Sequence, residues 1–216
     1  MSNRRHRLEA NKNLTLHTEN EFRGYPVNTG YGDLIGEYLD RMHSVIHRAI
    51  DSNPRTFMIA VCLKIPQEMT EVRREAISAF IASFKAQLDH HAKMREKRGT
   101  RVHKHDLRYV WAKERDTSHH DHYHVRLFLN ANAYRTLGRL DKDDGNLSVR
   151  LLKAWATALR LYPEDVEGLV HVEDDKILRR GNEDQLSAFF EWCSYMCKAK
   201  SKNYGRNGKS FGYSQN

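Results

Sequence analysis

The spacing of apolar residues predicts the first helix of the chain. From Ile35 to Ala49 an apolar residue returns every three or four positions, which is the period of an amphipathic helix. Asp33 is the expected N-cap. The helix is expected to end in the segment 51–54, because the residue before a proline avoids the helical region. Residues 1–30 are polar, with glycines and a proline around their end, so we expect an extended arm or loop there.

Four later segments have the pattern of strands. Residues 56–65 are apolar on both faces, as in a central strand, and Pro66 stops the run. Residues 107–115 and 122–130 are separated by a polar stretch and predict an antiparallel hairpin. A short fourth strand is expected over residues 168–173.

Three further helices are expected between and after these strands. Thr70 is the expected cap of a long helix whose apolar side runs from Val72 to Leu88. Residues 147–161 predict the next helix. Residues 183–200 predict the last one, with an acidic start and a basic end that suit the helix dipole.

The order of these elements predicts an α/β (α+β) fold with a mostly antiparallel sheet and helices on one face. The other face of the sheet would then be free to carry chemistry. We divide the chain into an N-terminal arm and helix (1–54), a core (55–200) and a basic tail rich in glycine, serine and asparagine (201–216).

Composition narrows the class of partner. The 216 residues suit one domain with extensions, and 36 lysines and arginines against 28 acidic residues give a formal net charge of +8. Such an excess indicates a polyanionic partner, because cationic side chains neutralise phosphates. We expect no membrane partner, since the chain lacks an apolar run of about 18 residues, and no secretory signal. The three cysteines lack metal-type spacing and suggest a reducing cytoplasm.

The strand 122–130 carries candidate metal ligands. Side chains alternate between the faces of a strand, so His122 and His124 share one face. Glu114 on the preceding strand would join them if the register pairs it with either histidine. Two imidazoles and a carboxylate with open positions make a catalytic type of divalent-cation site. Two alternatives stay open: these are ordinary polar residues on a solvated face, or His120 replaces one ligand.

The last predicted helix brings a phenol close to an ammonium group. Tyr195 and Lys198 are three positions apart and would be neighbours on a helix. A phenol with a pKa of about 10 is a poor nucleophile at neutral pH, but an adjacent cation can activate it. Taken alone, the pair also fits an ordinary surface position.

Together these motifs resemble a known superfamily. The strand motif HYH (122–124), followed by the helix motif YMCK (195–198), resembles the HUH superfamily of single-strand endonucleases. The segments HYHVRLFLN, YMCKAKSKNYG and KSFGYS are similar to the inovirus-type phage replication initiators, the gene-two-like family, and the likeness covers roughly residues 35–214. It implies that the core 55–200 is a ferredoxin-like or RRM-like HUH endonuclease core.

The resemblance also implies a function: metal-dependent, site-specific nicking and joining of single-stranded DNA at a replication origin. The protein would be a rolling-circle initiator of a phage or prophage in the bacterial cytoplasm, with host helicase and polymerase as partners. His122, His124 and Glu114 would hold Mg²⁺ or Mn²⁺. Tyr195 would attack the DNA to form a 5′-phosphotyrosine, and Lys198 would lie near the scissile phosphate.

The predicted function leads to further expectations about single residues and about the DNA-binding surface. Tyr195 would be the single nucleophile, with Tyr204 as a backup candidate, and Trp192 suits core packing better than base stacking. The basic segments 93–108 and 198–209 are candidate DNA-tracking surfaces. Relaxases and transposases share the chemistry. A different class also fits the basic composition, namely a non-catalytic nucleic-acid-binding or regulatory protein with a ferredoxin-like fold.

Overall fold

A computed structural model describes the residues 6–69, 75–115, 121–138, 146–200, 202 and 209–215. Four residues named above lie outside the described residues: the expected helix-cap residue Thr70 with Val72, the alternative ligand His120, and the backup candidate Tyr204.

The described residues form four α-helices, two short 3₁₀ helices and ten strands. The helices are α1 (Gly36–Ser52), α2 (Ala76–Lys97), α3 (Leu147–Leu159) and α4 (Glu183–Ser194). The 3₁₀ helices span Pro163–Val166 and Tyr195–Cys197. The strands are β1 (Arg7–Leu8), β2 (Asn11–His17), β3 (Glu21–Phe22), β4 (Tyr25–Pro26), β5 (Leu34–Ile35), β6 (Arg55–Leu63), β7 (Arg108–Glu114), β8 (His122–Asn130), β9 (Val170–Arg179) and β10 (Phe211–Tyr213).

Five strands build the main sheet in the order β10-β7-β8-β6-β9, and each neighbouring pair is antiparallel. The segment from β6 to β9 has the order β-α-β-β-α-β, which is the ferredoxin-like arrangement. The predicted α/β class with a mostly antiparallel sheet is confirmed. β8 is the central strand, so the histidine motif lies in the middle of the sheet.

Helices pack on both faces of this sheet. α2 and α3 cover the face that carries Phe57 and Val125, around the fully buried Trp155. α1 and α4 cover part of the opposite face, against Met58 and Phe128. The expectation that helices lie on one face only was wrong. Its physical reason is the composition of β6, which is apolar on both sides and must be covered on both.

The N-terminal segment forms short strands before α1. β1 pairs with β2, β2 with β5, and β3 with β4. The N-cap position of α1 is Ile35, so the expected cap at Asp33 was wrong. Leu34 and Ile35 are fully buried and pair with β2, which keeps Asp33 outside the helix. The Asp33 carbonyl instead accepts a hydrogen bond from the amide of Ala199 at 2.9 Å.

Two elements extend beyond the predicted pattern. β9 runs on to Arg179 as a strand at the edge of the sheet. Its alternating exposed charges hid it in the sequence. The end of the chain adds β10 to the other edge, where Phe211 pairs with Ala112. Among the described helices, none has the length and apolar character needed to cross a membrane.

Candidate active site

The β7–β8 hairpin places three predicted ligands on one face of the sheet. The predicted antiparallel hairpin is confirmed. Its register pairs Glu114 with His122 and Ala112 with His124, which meets the condition for Glu114 to join the histidines. One ligand atom from each of Glu114, His122 and His124 lies within 4.8 Å of the others. The two imidazole rings are 5.1 Å apart between centroids. This face is the one that α1 and α4 cover only at its other end.

Glu114 is buried between two lysines. Its Oε2 lies 2.7 Å from Lys198 Nζ, and its Oε1 accepts a hydrogen bond from Lys202 Nζ at 2.7 Å. Burial alone would raise the pKa of Glu114, but Lys202 and Lys198 outweigh it and hold this pKa below its usual range. Burial lowers the pKa of Lys202, and Glu114 opposes that effect only in part. Glu114 is therefore an ionised carboxylate that contacts both lysine side chains.

His124 lies between two carboxylates. Its Nδ1 is 2.9 Å from Glu173 Oε1, and its Nε2 is 3.8 Å from Glu114 Oε2. A proton on Nδ1 directed at Glu173 leaves the lone pair of Nε2 for a metal ion. Carboxylate–histidine pairs of this kind orient the ligand and raise its basicity in many metal sites.

Sequence reasoning missed Glu173 because a β-bulge positions it. Ala60 of β6 pairs with Asp174, whereas the next residue, Val61, pairs with Val172. Glu173 is thus an additional residue on β9, and bulges commonly redirect side chains next to functional sites. The only local signal was the acidic run after Val172.

Glu173 also holds Arg126, which lies two residues after His124 on the same face of β8. Arg126 Nη1 donates to Glu173 Oε2 at 2.7 Å, and its side chain is 3% exposed. Burial would raise the pKa of Glu173, but the hydrogen bond from His124 and the charge of Arg126 lower it to about 2. Glu173 is therefore an ionised acceptor across the whole physiological range of pH.

Tyr195 begins a tight turn directly after α4. The predicted helix to residue 200 was wrong at its end, since α4 ends at Ser194 and Tyr195–Cys197 form a 3₁₀ turn. The helix stops there because Lys198 forms a β-bridge with Leu34 of the N-terminal segment. Side chains three apart eclipse each other in a 3₁₀ turn. Lys198 Nζ accordingly lies 3.6 Å from the centroid of the Tyr195 ring.

The turn brings the phenol to the histidines. The rings of Tyr195 and His124 are 5.9 Å apart and nearly perpendicular, at 87°. Lys198 connects the two groups, since it contacts the Tyr195 ring and the Glu114 carboxylate. The fold therefore gathers all five predicted site residues in one place, although they come from three separate segments of the chain.

The N-terminal arm supports this turn through two contacts. The amide of Asn28 donates to Ser194 Oγ at 2.7 Å. The ring of Tyr31 meets the ring of Tyr195 edge-on at 4.9 Å. A cavity of about 380 Å³ opens at this point, with both arm residues and Tyr195 and His124 in its wall.

The donor atoms fit a divalent cation. Two imidazoles favour transition-metal ions, whereas the ionised carboxylate, together with a substrate phosphate, suits Mg²⁺ or Mn²⁺. A second group, Cys62, His124 and Glu173, also has ligand atoms within 4.8 Å of one another. Burial raises the pKa of the Cys62 thiol to about 11, so it is protonated and a poor ligand. The group that contains Glu114 is the better candidate, with the two lysines as competitors for its carboxylate.

Comparison with known proteins gives a family. The model of the YagK/YfjJ C-terminal domain matches residues 17–214. Two proteins of Escherichia coli (strain K12) are similar. "Uncharacterized protein YagK" is 29% identical over 199 residues, which cover 86% of this chain and 95% of the relative. "Uncharacterized protein YfjJ" is 29% identical over 202 residues, which cover 86% and 97%. No solved structure matches significantly. Because the family match spans most of its length, the chain belongs to the YagK/YfjJ C-terminal domain family.

Proposed function

We propose that this protein is a metal-dependent endonuclease that nicks and rejoins single-stranded DNA through Tyr195. It would act at a replication origin, as the rolling-circle initiator of a phage or prophage in the bacterial cytoplasm. One observation carries the proposal: the Tyr195 ring lies 5.9 Å from the His124 ring, beside the cluster of Glu114, His122 and His124. A phenol, an adjacent cation and a candidate metal site can together support phosphotyrosine chemistry.

His122, His124 and Glu114 would hold the cation, either Mg²⁺ or Mn²⁺. When bound, such an ion withdraws negative charge from the nonbridging oxygens of the scissile phosphate. Glu173 would keep His124 in the orientation that directs Nε2 toward Glu114.

The covalent step exchanges one phosphoester bond for another. Tyr195 Oη forms a bond to phosphorus while the bond between phosphorus and the 3′ oxygen breaks. The phenol releases its proton to solvent, and the departing 3′ oxygen takes one up. The products are a 5′-phosphotyrosine and a free 3′-hydroxyl, which could prime DNA synthesis. Attack by a 3′-hydroxyl on the phosphotyrosine reverses the step and rejoins the strand.

Lys198 would lower the energy of the attacking group. Its ammonium lies 3.6 Å from the Tyr195 ring centroid, in a site that is largely shielded from water. A positive charge at that distance stabilises the phenolate that forms as the proton leaves. Glu114 fixes the ammonium in place through its contact of 2.7 Å.

The basic segment 93–108 would contact the DNA at a distance from the reacting phosphate. It leads into the start of β7, whereas Glu114 ends that strand. A strand of seven residues is about 20 Å long. Contacts there would position the DNA by its phosphates and not by its sequence.

The test is a search for a covalent protein–DNA adduct. Purified protein is incubated with end-labelled single strands from the DNA that flanks its gene, with Mg²⁺, Mn²⁺ or EDTA, and analysed on denaturing gels. We expect an adduct and a free 3′-hydroxyl with metal only. Tyr195→Phe should bind the strands and form no adduct. Tyr162→Phe is the matched control, since Tyr162 is 77% exposed and lies next to a 3₁₀ helix outside the site.

The competing function is non-catalytic nucleic-acid binding. It draws support from the pairing of Glu114 with two lysines, which satisfies the buried carboxylate without any metal ion. If this competing function is correct, the wild-type chain binds single-stranded DNA equally well in Mn²⁺ and in EDTA and forms no adduct in either. Such a result would remove the endonuclease proposal.

A further inference from the structure

We infer that the cavity beside Tyr195 is a binding pocket for one unpaired nucleobase, next to the scissile phosphate. This inference rests on the proposed function, because it assigns a place to the nucleotide that Tyr195 would attack. The cavity has a volume of about 380 Å³, at the lower end of the range for small-molecule sites. Its aromatic walls include Tyr31 from the N-terminal arm and Trp192 from α4. Trp192 is 37% exposed, so the expectation that it packs in the core was wrong.

Both of these aromatic rings are exposed. Among the described residues, four large hydrophobic side chains are exposed: Tyr31 at 58%, Met94 at 36%, Tyr162 at 77% and Trp192 at 37%. Single exposed apolar residues need no explanation. Two of the four line the same cavity, however, and that cavity also contains the candidate nucleophile. Exposed aromatic rings along a nucleic-acid path are typical stacking platforms for unpaired bases.

The charges around Trp192 favour a neutral planar ligand. Arg126 Cζ lies 4.2 Å from the Trp192 ring centroid, and Lys176 Nζ lies 5.4 Å from it. The negative ring face is thus already in contact with cations, so a further cationic ligand would be repelled. An aliphatic ligand would cover the charged Arg126–Glu173 pair with apolar groups and offer it no new hydrogen bonds. A nucleobase offers a flat ring for stacking and polar edges for these groups.

Tyr31 places the pocket directly beside the proposed nucleophile Tyr195. Its ring contacts the Tyr195 ring at 4.9 Å, and the same loop contributes Asn28, whose amide is bonded to Ser194 at the start of the turn. A base held against Tyr31 would therefore have its sugar-phosphate close to the Tyr195 turn. The N-terminal arm would then form one side of the pocket and determine the direction from which the DNA strand enters the site.

The experiment measures binding in the Tyr195→Phe background, where no cleavage occurs. Fluorescence anisotropy gives the affinity for labelled oligothymidylate and for an abasic strand with the same number of phosphates. We expect Tyr31→Ala and Trp192→Ala each to weaken oligothymidylate binding roughly tenfold, as lost base stacking does. Neither change should alter abasic binding. Trp192→Phe should retain most of the affinity, and Tyr162→Ala, the matched exposed control, should have no effect.

The outcomes separate this inference from the proposed function. Unchanged oligothymidylate affinity in folded Tyr31→Ala and Trp192→Ala variants overturns the pocket, even where the wild-type chain forms its covalent adduct. Equal losses on oligothymidylate and abasic strands also overturn it, since they indicate a loss of phosphate contacts. Base-dependent losses without any adduct from wild-type protein support the pocket and remove the endonuclease proposal. A thermal melt of each variant checks the fold, and Tyr31 is exposed enough for its removal to leave the core intact.

Discussion

At the scale of single residues, the site is built from two carboxylates that are each held by two partners. Glu114 contacts Lys198 and Lys202, and Glu173 contacts His124 and Arg126. Three cationic side chains, Lys198, Lys202 and Arg126, therefore face these two carboxylates. The net local charge is therefore positive. A positive charge attracts a phosphate group and weakens the binding of a divalent cation in the absence of DNA. We therefore expect DNA and metal to bind the site cooperatively, because the phosphate offsets the charge that the metal adds.

Glu173→Gln is expected to make the free energy of unfolding depend less on pH at acidic pH. The pKa of Glu173 is lowered to about 2, below its unfolded value of about 4.3. Its stabilising effect is therefore complete above the unfolded pKa and is lost as the pH falls toward 2. The side chain is 23% exposed, so solvent screening reduces the effect to roughly 1 kcal/mol. Urea unfolding of both proteins between pH 7 and about 2.5 measures it.

The same variant tests the proposed orienting role of Glu173. Loss of a carboxylate that orients a metal-bound histidine typically costs about 10–100-fold in metal affinity. Isothermal titration with Mn²⁺ should show this loss in Glu173→Gln. Asp175→Asn on the same strand is the control, since Asp175 pairs opposite Ile59 and projects to the other face. Equal Mn²⁺ affinities in the wild-type chain and in Glu173→Gln would argue against the orienting role.

The residues that sequence reasoning found and missed differ in how far their placement depends on long-range structure. His122 and His124 follow from strand alternation, and Glu114 follows from one hairpin register. Lys202 and Glu173 do not follow from any local pattern. Lys202 reaches Glu114 only after the chain has turned away from α4, and Glu173 depends on a bulge formed against β6. The local pattern of apolar and polar residues therefore predicts neither the contact of Lys202 with Glu114 nor the bulge at Glu173.

At the scale of elements, the strands that the sequence predicted at nearly their full length are those with a long apolar run, whereas only the first part of β9 was predicted. β6, β7 and β8 are buried along most of their length, and each was predicted within two residues of its ends. β5 and β10 are two and three residues long and form only by pairing with distant segments. A strand of two or three residues is too short to show an alternation of apolar and polar residues. Such a strand is therefore defined only by its pairing with another segment in the folded protein.

The edge strand β10 depends on a glycine that lies under an aromatic ring. Gly212 pairs opposite Trp111, and a Cβ at this position would lie 2.4 Å from two carbons of the Trp111 ring. Gly212→Ala is therefore expected to destabilise the protein by about 1–3 kcal/mol, as overpacking does. Urea unfolding with an unchanged m-value would measure the loss as a shift in midpoint.

A double-mutant cycle identifies the cause of that loss. Trp111→Leu removes the ring that a new methyl group would meet. The two changes should be strongly non-additive, so that Gly212→Ala costs much less in the Trp111→Leu background. Additive effects would show that the glycine is required for its backbone and not for the close approach of Trp111.

At the scale of the whole molecule, the N-terminal segment completes the site face of the sheet. α1 contributes Leu39, Met42 and Ile46, all fully buried, to the cluster that contains Met58 and Phe128 of the sheet. The arm before α1 braces the Tyr195 turn through Asn28 and Leu34. The division into residues 1–54 and a core thus crosses a packed interface. It also crosses the site, because the arm and the turn belong to different segments.

Removal of residues 1–54 is therefore expected to destroy cooperative folding. Each of the three large α1 side chains contributes about 2 kcal/mol by burial, and their sum is comparable with the net stability of a domain. The fragment 55–216 should bind the dye ANS through the uncovered sheet face and melt without a sharp transition. Adding a separate 1–54 peptide should restore the transition and the near-UV circular dichroism. A fragment that melts alone as sharply as the full chain, and at the same temperature, would instead establish the N-terminal segment as a dispensable cover, and the bracing of Tyr195 by the arm would lose its support.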